Sequence, residues 1–265
     1  NVATTFLRSG LFESATKVKT ARTNDCLSSN IAGSIAMTTP WFVFTSSIAV
    51  YGGQKPPMTE EMHPMPEDPY GVAKYAVELD LKAAHEMFGL NYVIFRPHNV
   101  YGEYQNLGDR YRNVVGIFMN QLMQGKPLSV FGDGLQTRAF SYIGDVAPAI
   151  ARSVTLSDAT NQVPNSPALN LPADREFSVK DLAVGVMEAM GIRGEVRHLP
   201  PRNEVVHAHA SHEKARRVFG LKEITPLDDG LRRMAFWAKS AGIRKSSTFK
   251  DIEVRRNLPS FWLEP

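Results

Sequence analysis

The 265 residues carry 30 Lys plus Arg against 27 Asp plus Glu, for a net charge of +3, and 43% of positions are apolar. This is the composition of an ordinary globular chain of one large or two small domains, and it excludes collagen-like, disordered and fibrous classes. One cysteine, Cys26, excludes a disulfide framework within the chain; with scattered basic residues, no basic-then-apolar leader and no run near 18 apolar residues, a soluble cytoplasmic protein with no nucleic-acid or membrane partner is expected.

Residues 1–40 contain only Gly10 and Gly33, and neither Gly-x-x-Gly-x-x-Gly nor Gly-x-Gly-x-x-Gly follows a strand anywhere, so the usual dinucleotide cradle is not found. Trp41-Phe42-Val43-Phe44-Thr45-Ser46-Ser47 is an apolar run ending in small polar residues. It predicts a buried strand delivering hydroxyls to the carboxyl edge of a sheet. After a turn-rich stretch over 52–66, Asp68 and Pro69 supply an N-cap and a first-turn proline. Val72, Ala76, Leu79, Ala83 and Met87 then recur at helical spacing up to Gly89, and this stripe is expected to face the core. Asn91 to Arg96 predicts the next strand, which completes a strand, helix, strand unit of a parallel sheet. Further along, the pattern predicts a helix over 114–123, a strand over 128–131 and a helix capped by Asp145 that runs to about Val154. A strand over 168–171 and a helix opened by Ser178 and Asp181 and closed by Gly191 come next. A strand near 195–199 and helices over 211–219 and 227–239 follow, and the polar tail over 246–265 yields no functional reading.

Tyr70 and Lys74 stand four residues apart, one turn up the same helix face. A free tyrosine ionises at about pH 10, and a neighbouring positive charge favours the phenolate, so such a pair makes a usable proton acceptor. Tyr51 and Lys55 share the spacing, but Gly52, Gly53 and Pro56 argue against a helix there. Ser46 and Ser47 end the strand that precedes the Tyr70 helix, at the edge where open α/β sheets build their sites. A serine there either caps the next turn or bonds to the oxygen that Tyr70 serves. Serine, tyrosine and lysine together form the proton-handling set of a carbinol–carbonyl redox site. His207, His209 and His212 form His-x-His-x-x-His, but no carboxylate or cysteine completes it at ligand spacing, so no metal is expected.

Four ordered motifs carry a likeness: Phe44-Thr45-Ser46-Ser47-Ile48-Ala49-Val50-Tyr51-Gly52, Pro69-Tyr70-Gly71-x-x-Lys74, Arg96-Pro97-His98-Asn99-Val100-Tyr101-Gly102 and Phe131-Gly132-Asp133-Gly134-x-Gln136-Thr137-Arg138. In this order the chain resembles the extended short-chain dehydrogenase/reductase family of NAD-dependent epimerases and dehydratases, over about residues 30–239. Asn30-Ile31-Ala32-Gly33-Ser34 is similar to that family's Asn-x-x-Gly-Thr helix, although it meets the Trp41 strand after only six residues. The resemblance implies an α/β fold: a Rossmann-like doubly wound parallel sheet, N-terminally incomplete, with a smaller α+β substrate-binding part. Residues 1–100 would be the NAD-binding part and 101–265 mainly the sugar-nucleotide part. It implies Tyr70 as base, Lys74 as its electrostatic partner and Ser47 as the hydroxyl on the sugar's reacting oxygen. Tyr70, Lys74, Ser46, Asn30 and Pro97 would meet NAD. Ser47, Asn99, Asn113, Val114, Ser129, Phe131, Arg138, Arg202 and Glu204 would meet the UDP-sugar. Ile48 and Ala49 stand where sugar-nucleotide 4,6-dehydratases carry an Asp-Glu pair, and neither can transfer protons. The implied reaction is therefore C4 epimerisation of a UDP-hexose, UDP-glucose or UDP-galactose, through a 4-keto sugar. The alternatives are epimerisation of another sugar nucleotide such as UDP-glucuronate, or a non-catalytic relative that binds sugar nucleotide. Ala208 falls where such epimerases meet the sugar's C2 substituent, which implies room for N-acetylated sugars. A homodimer is also implied.

Overall fold

In the computed structural model, residues 41–109, 112–159, 168–202, 204–221 and 223–245 are described; Asn30, Cys26 and the tail over 246–265 lie outside them. Strand β1 (Trp41–Thr45) pairs in parallel with β2 (Asn91–Arg96), which pairs in parallel with the short β6 (Leu169–Asn170). The crossover from β1 to β2 is helix α1 (Pro69–Phe88), preceded by a 3-10 turn over Ile48–Tyr51. Strand β2 is buried from Tyr92 to Arg96, as a strand covered on both faces must be. A second sheet is built on β5 (Thr137–Tyr142), with β3 (Asn99–Tyr101) and β9 (His207–Ala208) parallel to it and β7 (Glu176–Ser178) antiparallel. Strands β4 (Leu128–Phe131) and β8 (Val196–Leu199) make a separate parallel pair. The remaining helices are α2 (Val114–Met123), α3 (Ile143–Ala159), α4 (Val179–Met190), α5 (Glu213–Phe219) and α6 (Leu227–Ala241). The architecture is α/β and Rossmann-like.

The largest apolar cluster joins α2, α4 and α6 to β4 and β5 through Phe118, Leu128, Phe140, Leu182, Val186 and Met234. A second cluster packs Phe95 and Leu169 against Val146, Ala149 and Phe219, with the Phe95 and Phe219 rings 5.8 Å apart. Among the described residues no helix is long and apolar enough to cross a membrane.

Helix α1 begins and ends where its sequence dictates: Asp68 Oδ1 accepts from Gly71 N at 2.5 Å, Pro69 sits in the first turn, and Gly89 closes the helix in the left-handed conformation. Gly71 lets the helix start against the 3-10 turn, because a Cβ there would stand 2.7 Å from the Ala49 carbonyl oxygen. The face that α1 buries, however, is not the apolar stripe. Val72, Leu79 and Met87 are 52, 49 and 71% exposed, whereas Gly71, Glu78 and Leu81 are buried. Glu78 turns inward because Arg96, at the end of β2, offers its carboxylate a buried partner.

Two further differences concern β5, whose mixed sequence Thr-Arg-Ala-Phe-Ser-Tyr hides a strand buried only from Ala139 onward. Helix α3 follows it directly and starts at Ile143, so Asp145 lies inside the first turn. Its carboxylate accepts instead from Thr225 N and Thr225 Oγ1, each at 2.9 Å.

His98 bridges two segments as a neutral ring. Its Nδ1 donates to the Leu171 carbonyl at 3.1 Å and its Nε2 accepts from Ala210 N at 2.9 Å. Burial above all, then the charges of His212 and His209, push its pKa down to about 3. The unfolded chain binds this proton first, so the ring's contribution is complete above about pH 6.5 and falls by about 1.4 kcal/mol per pH unit from there toward pH 3. His98→Gln is expected to flatten that slope in urea titrations run between pH 7 and 4; a slope equal to the native one would refute the assignment.

Candidate active site

A cavity of about 870 Å³ begins at the carboxyl ends of β1 and β2 and runs on to β4 and β5. At its first end stand Ser47, Tyr70 and Lys74. Lys74 Nζ donates to the Thr45 carbonyl at 2.8 Å and lies 5.7 Å from the centre of the Tyr70 ring. The i, i+4 step of α1 sets this pairing, and burial lowers the pKa of the Lys74 ammonium from its ordinary value. Strand β1 stops at Thr45, and the two serines beyond it differ. Ser46 Oγ donates to buried Glu78 at 2.5 Å, whereas Ser47 Oγ accepts from Ala49 N at 3.1 Å and lines the cavity half-buried. Ser47 is thus both the cap of the 3-10 turn and a hydroxyl whose proton has no acceptor among the described residues. Pro97, also on the wall, accepts from Ile48 N through its carbonyl at 3.1 Å.

Tyr51 is fully buried. Its hydroxyl donates to Asn170 Oδ1 at 2.9 Å and accepts from Arg96 Nη1 at 2.8 Å, so the second Tyr-x-x-x-Lys match is a core residue.

The middle of the cavity is amide-rich. Asn99 Nδ2 donates to the Ala139 carbonyl at 3.3 Å. Asn113 precedes α2 with φ of 64° and makes no side-chain cap, which leaves its amide to the cavity beside Val114. Gln121 grips Ser129 twice, accepting from Ser129 N at 3.2 Å and donating to Ser129 Oγ at 3.1 Å, so the edge of β4 is held in register against α2.

The far end is an arginine fork. Arg202 stacks on the Phe131 ring with 3.9 Å from guanidinium carbon to ring centre, and its buried Nε has no hydrogen-bond partner among the described residues. Arg138 donates through Nη1 to the Thr137 and Val206 carbonyls at 2.8 and 3.0 Å. Glu204 Oε2 accepts from Arg138 Nη2 at 3.1 Å and stands 3.5 Å from Arg202 Nη2, while Glu204 Oε1 accepts from Gln136 Nε2 at 3.3 Å. Burial above all lowers the Arg138 pKa from its ordinary value; Glu204 opposes the shift and the Arg202 charge adds to it. Two cations, one carboxylate and an unpaired donor suit an anion with several oxygens, such as a diphosphate.

Every expected site residue that is described lines this one cavity, Ser46 included, although its hydroxyl is bonded to Glu78. The expected contact with the sugar's C2 substituent differs, since Ala208 packs beside Tyr51 and Met58 and is not part of the cavity wall. The histidines separate: His207 Nδ1 pairs with Thr137 Oγ1 at 2.8 Å, His209 Nδ1 lies 3.3 Å from Glu176 Oε2, and His212 precedes α5. Among the wall residues given no site role by the sequence are His98, Asn106, Asp109 and Arg112. Arg112 is held by Asp109 Oδ2 at 2.9 Å, an i, i+3 pair that spacing alone leaves among many surface pairs.

Residues 8–165 match the family described as NAD dependent epimerase/dehydratase. A putative UDP-glucose 4-epimerase of Methanocaldococcus jannaschii is 34% identical over 201 residues, covering 75% of this chain and 63% of that protein. The UDP-glucose 4-epimerase of Mycolicibacterium smegmatis is 29% identical over 194 residues, 72% and 60% of the two chains. Among solved structures, the UDP-glucose 4-epimerase of Thermotoga maritima with UDP-glucose superposes with a TM-score of 0.68 at 29% identity, over 76% of this chain and 64% of that one. The UDP-glucuronic acid 4-epimerase of Bacillus cereus, with UDP-glucuronic acid and NAD, gives 0.67 at 27% identity, over 76% and 62%. The chain thus spans a little under two thirds of the length of these relatives.

The geometry of Glu204 makes a prediction of its own. Glu204→Gln leaves Arg138 and Arg202 facing each other without a carboxylate, and a loss of about 1 to 2 kcal/mol is expected in chemical denaturation. Added pyrophosphate should restore stability by occupying the fork. A midpoint that neither falls with the substitution nor responds to pyrophosphate contradicts this view of the fork.

Proposed function

Because the chain belongs to the NAD dependent epimerase/dehydratase family, we propose that it serves NAD-dependent epimerisation at C4 of a UDP-hexose, UDP-glucose or UDP-galactose, through a 4-keto sugar. The observation that carries this reading is the gathering of Ser47, Tyr70 and Lys74 at one end of a cavity whose other end is the Arg138 and Arg202 fork. A UDP-sugar lying along it would set its diphosphate on the arginines, its base along Ser129 and Phe131, and its hexose among Asn99, Asn113 and Val114. The wall made by Ser46, Tyr70, Lys74 and Pro97 would meet the nicotinamide end of NAD, with the apolar ring of Pro97 beside it and the Tyr70 hydroxyl and Lys74 ammonium for ribose oxygens. NAD, when bound, supplies a hydride acceptor that later returns the hydride.

In this arrangement Tyr70 takes the C4 hydroxyl proton as base, and Lys74 places its positive charge where the phenolate would form. Ser47 donates its free hydroxyl proton to the same sugar oxygen. After the keto sugar turns over, the hydride would return to the other face of C4 and Tyr70 gives its proton back to the C4 oxygen. Arg112, a guanidinium on the wall, favours UDP-glucuronate as the second reading; rates on UDP-glucuronate and UDP-galactose, compared directly, separate the two.

With NAD supplied, the protein is expected to convert UDP-galactose to UDP-glucose. Tyr70→Phe should lower kcat by about two to four orders of magnitude with little change in KM. Failure of the native protein both to turn over and to bind NAD would overturn the enzymatic reading.

The proposal extends to a homodimer. The exposed apolar stripe of Val72, Leu79 and Met87 on α1 supports a second copy packing there. Light scattering is expected to give twice the chain mass for the native protein and the chain mass for Leu79→Glu; a native monomer at micromolar concentration defeats this part.

A further inference from the structure

Resting on the reading above, we propose that Glu78 is the positioning residue of this site, its buried carboxylate fixing the roll of α1 over β1 and so the places of Tyr70 and Lys74. Glu78 follows Lys74 by one helical turn and Tyr70 by two. Each step of four residues advances about 40° around the axis, so the three side chains form one slowly turning row. Its first two members reach the cavity and its third is buried.

The carboxylate is held on every side. Its Oε1 accepts from Ser46 Oγ at 2.5 Å and from Arg96 Nε at 3.0 Å, and its Oε2 accepts from Arg96 Nη2 at 2.5 Å. Arg96 also donates to Tyr51 Oη, which donates to Asn170 Oδ1 on β6. These contacts close a ring. Glu78 reaches Ser46; one peptide back along the chain is Thr45; the Thr45 carbonyl takes Lys74 Nζ at 2.8 Å; and one turn of helix returns to Glu78. A roll of α1 in either direction would break the Lys74 contact and strand a buried charge together.

Stability alone does not account for the pair, since a buried ion pair adds little over an apolar pair of similar volume. What an apolar pair lacks is direction: it tolerates a roll that two fixed hydrogen bonds to one guanidinium forbid. Glu78 touches neither substrate nor cofactor in this account, and it acts through Ser46 and Lys74.

The test compares the native protein with Glu78→Met/Arg96→Met, which removes both charges, and with Glu78→Asp, which keeps the pair but withdraws the carboxylate from Ser46 by one methylene. For both variants we expect kcat to fall at least ten-fold, with unchanged KM for the UDP-sugar and a shifted acidic limb of the pH–rate profile. A second readout needs no turnover: labelling of Lys74 by an amine-reactive ester, followed by mass spectrometry, is expected to quicken at least three-fold. If the double variant does not fold, Glu78→Asp decides alone. Unchanged Lys74 labelling, or unchanged kcat and pH profile in a folded variant, overturns the positioning role. A native protein that neither turns over nor binds sugar nucleotide overturns the functional reading instead, and the labelling result still stands or falls by itself.

Discussion

The charge pair between Glu78 and Arg96 is the constraint from which the arrangement around the site follows. Both side chains are almost wholly removed from water, at 5 and 6% exposure, and a buried ion survives only when its partner and its remaining hydrogen bonds are all in place. Here that demand is met from five segments: α1 and β2 give the ions, the residue after β1 gives Ser46, the 3-10 turn gives Tyr51, and β6 gives Asn170. None of these can shift alone without leaving a polar group unpaired. The first sheet and its crossover helix are therefore locked at their carboxyl end, which is where the cavity opens.

The far end of the cavity obeys the opposite logic. Arg138 and Arg202 are brought together despite like charge, and the carboxylate between them is part-exposed and shared rather than enclosed. Arg202 in addition keeps a buried Nε without a hydrogen-bond partner among the described residues. A network complete in itself resists change, whereas one with a spare donor invites an incoming anion. The two ends thus differ in kind: the first holds catalytic groups still, and the second has bonds left to make. His98 spans the ground between them, joining Leu171 to Ala210 with one nitrogen each.

Much of this was legible in the sequence, for reasons that also mark where legibility ended. The unit of β1, α1 and β2 follows from an apolar run, an Asp-Pro start and a closing glycine, all of them local signals. The four motifs located the cavity wall, because they record which residues sit at strand ends. Periodicity gave the wrong inner face for α1, since it reports which face is apolar and not what that face meets. A glutamate at position 78 reads as one more solvated charge until Arg96 is known to lie opposite. Strand β5 is hidden because its first two residues, Thr137 and Arg138, are polar and half-buried, Arg138 lining the site and Thr137 bonding to Glu176 and His207. Gln121 and His98 owe their places to pairings between segments, which no spacing rule contains, and the local Arg112–Asp109 pair looks like any other surface pair until the cavity beside it is known.

The two serines after β1 show how backbone geometry assigns chemistry. Residue 47 is extended, with φ of −162° and ψ of 154°, and successive side chains of an extended chain leave on opposite sides. If Ser46 turns in to reach Glu78, Ser47 must turn out toward Tyr70. The carboxylate inside thereby decides which hydroxyl is consumed by structure and which keeps a proton to give. A chain with a single serine there would have to choose between holding its helix and meeting its substrate. Adjacent serines on an extended backbone do both, and each does its part only because the other is committed elsewhere.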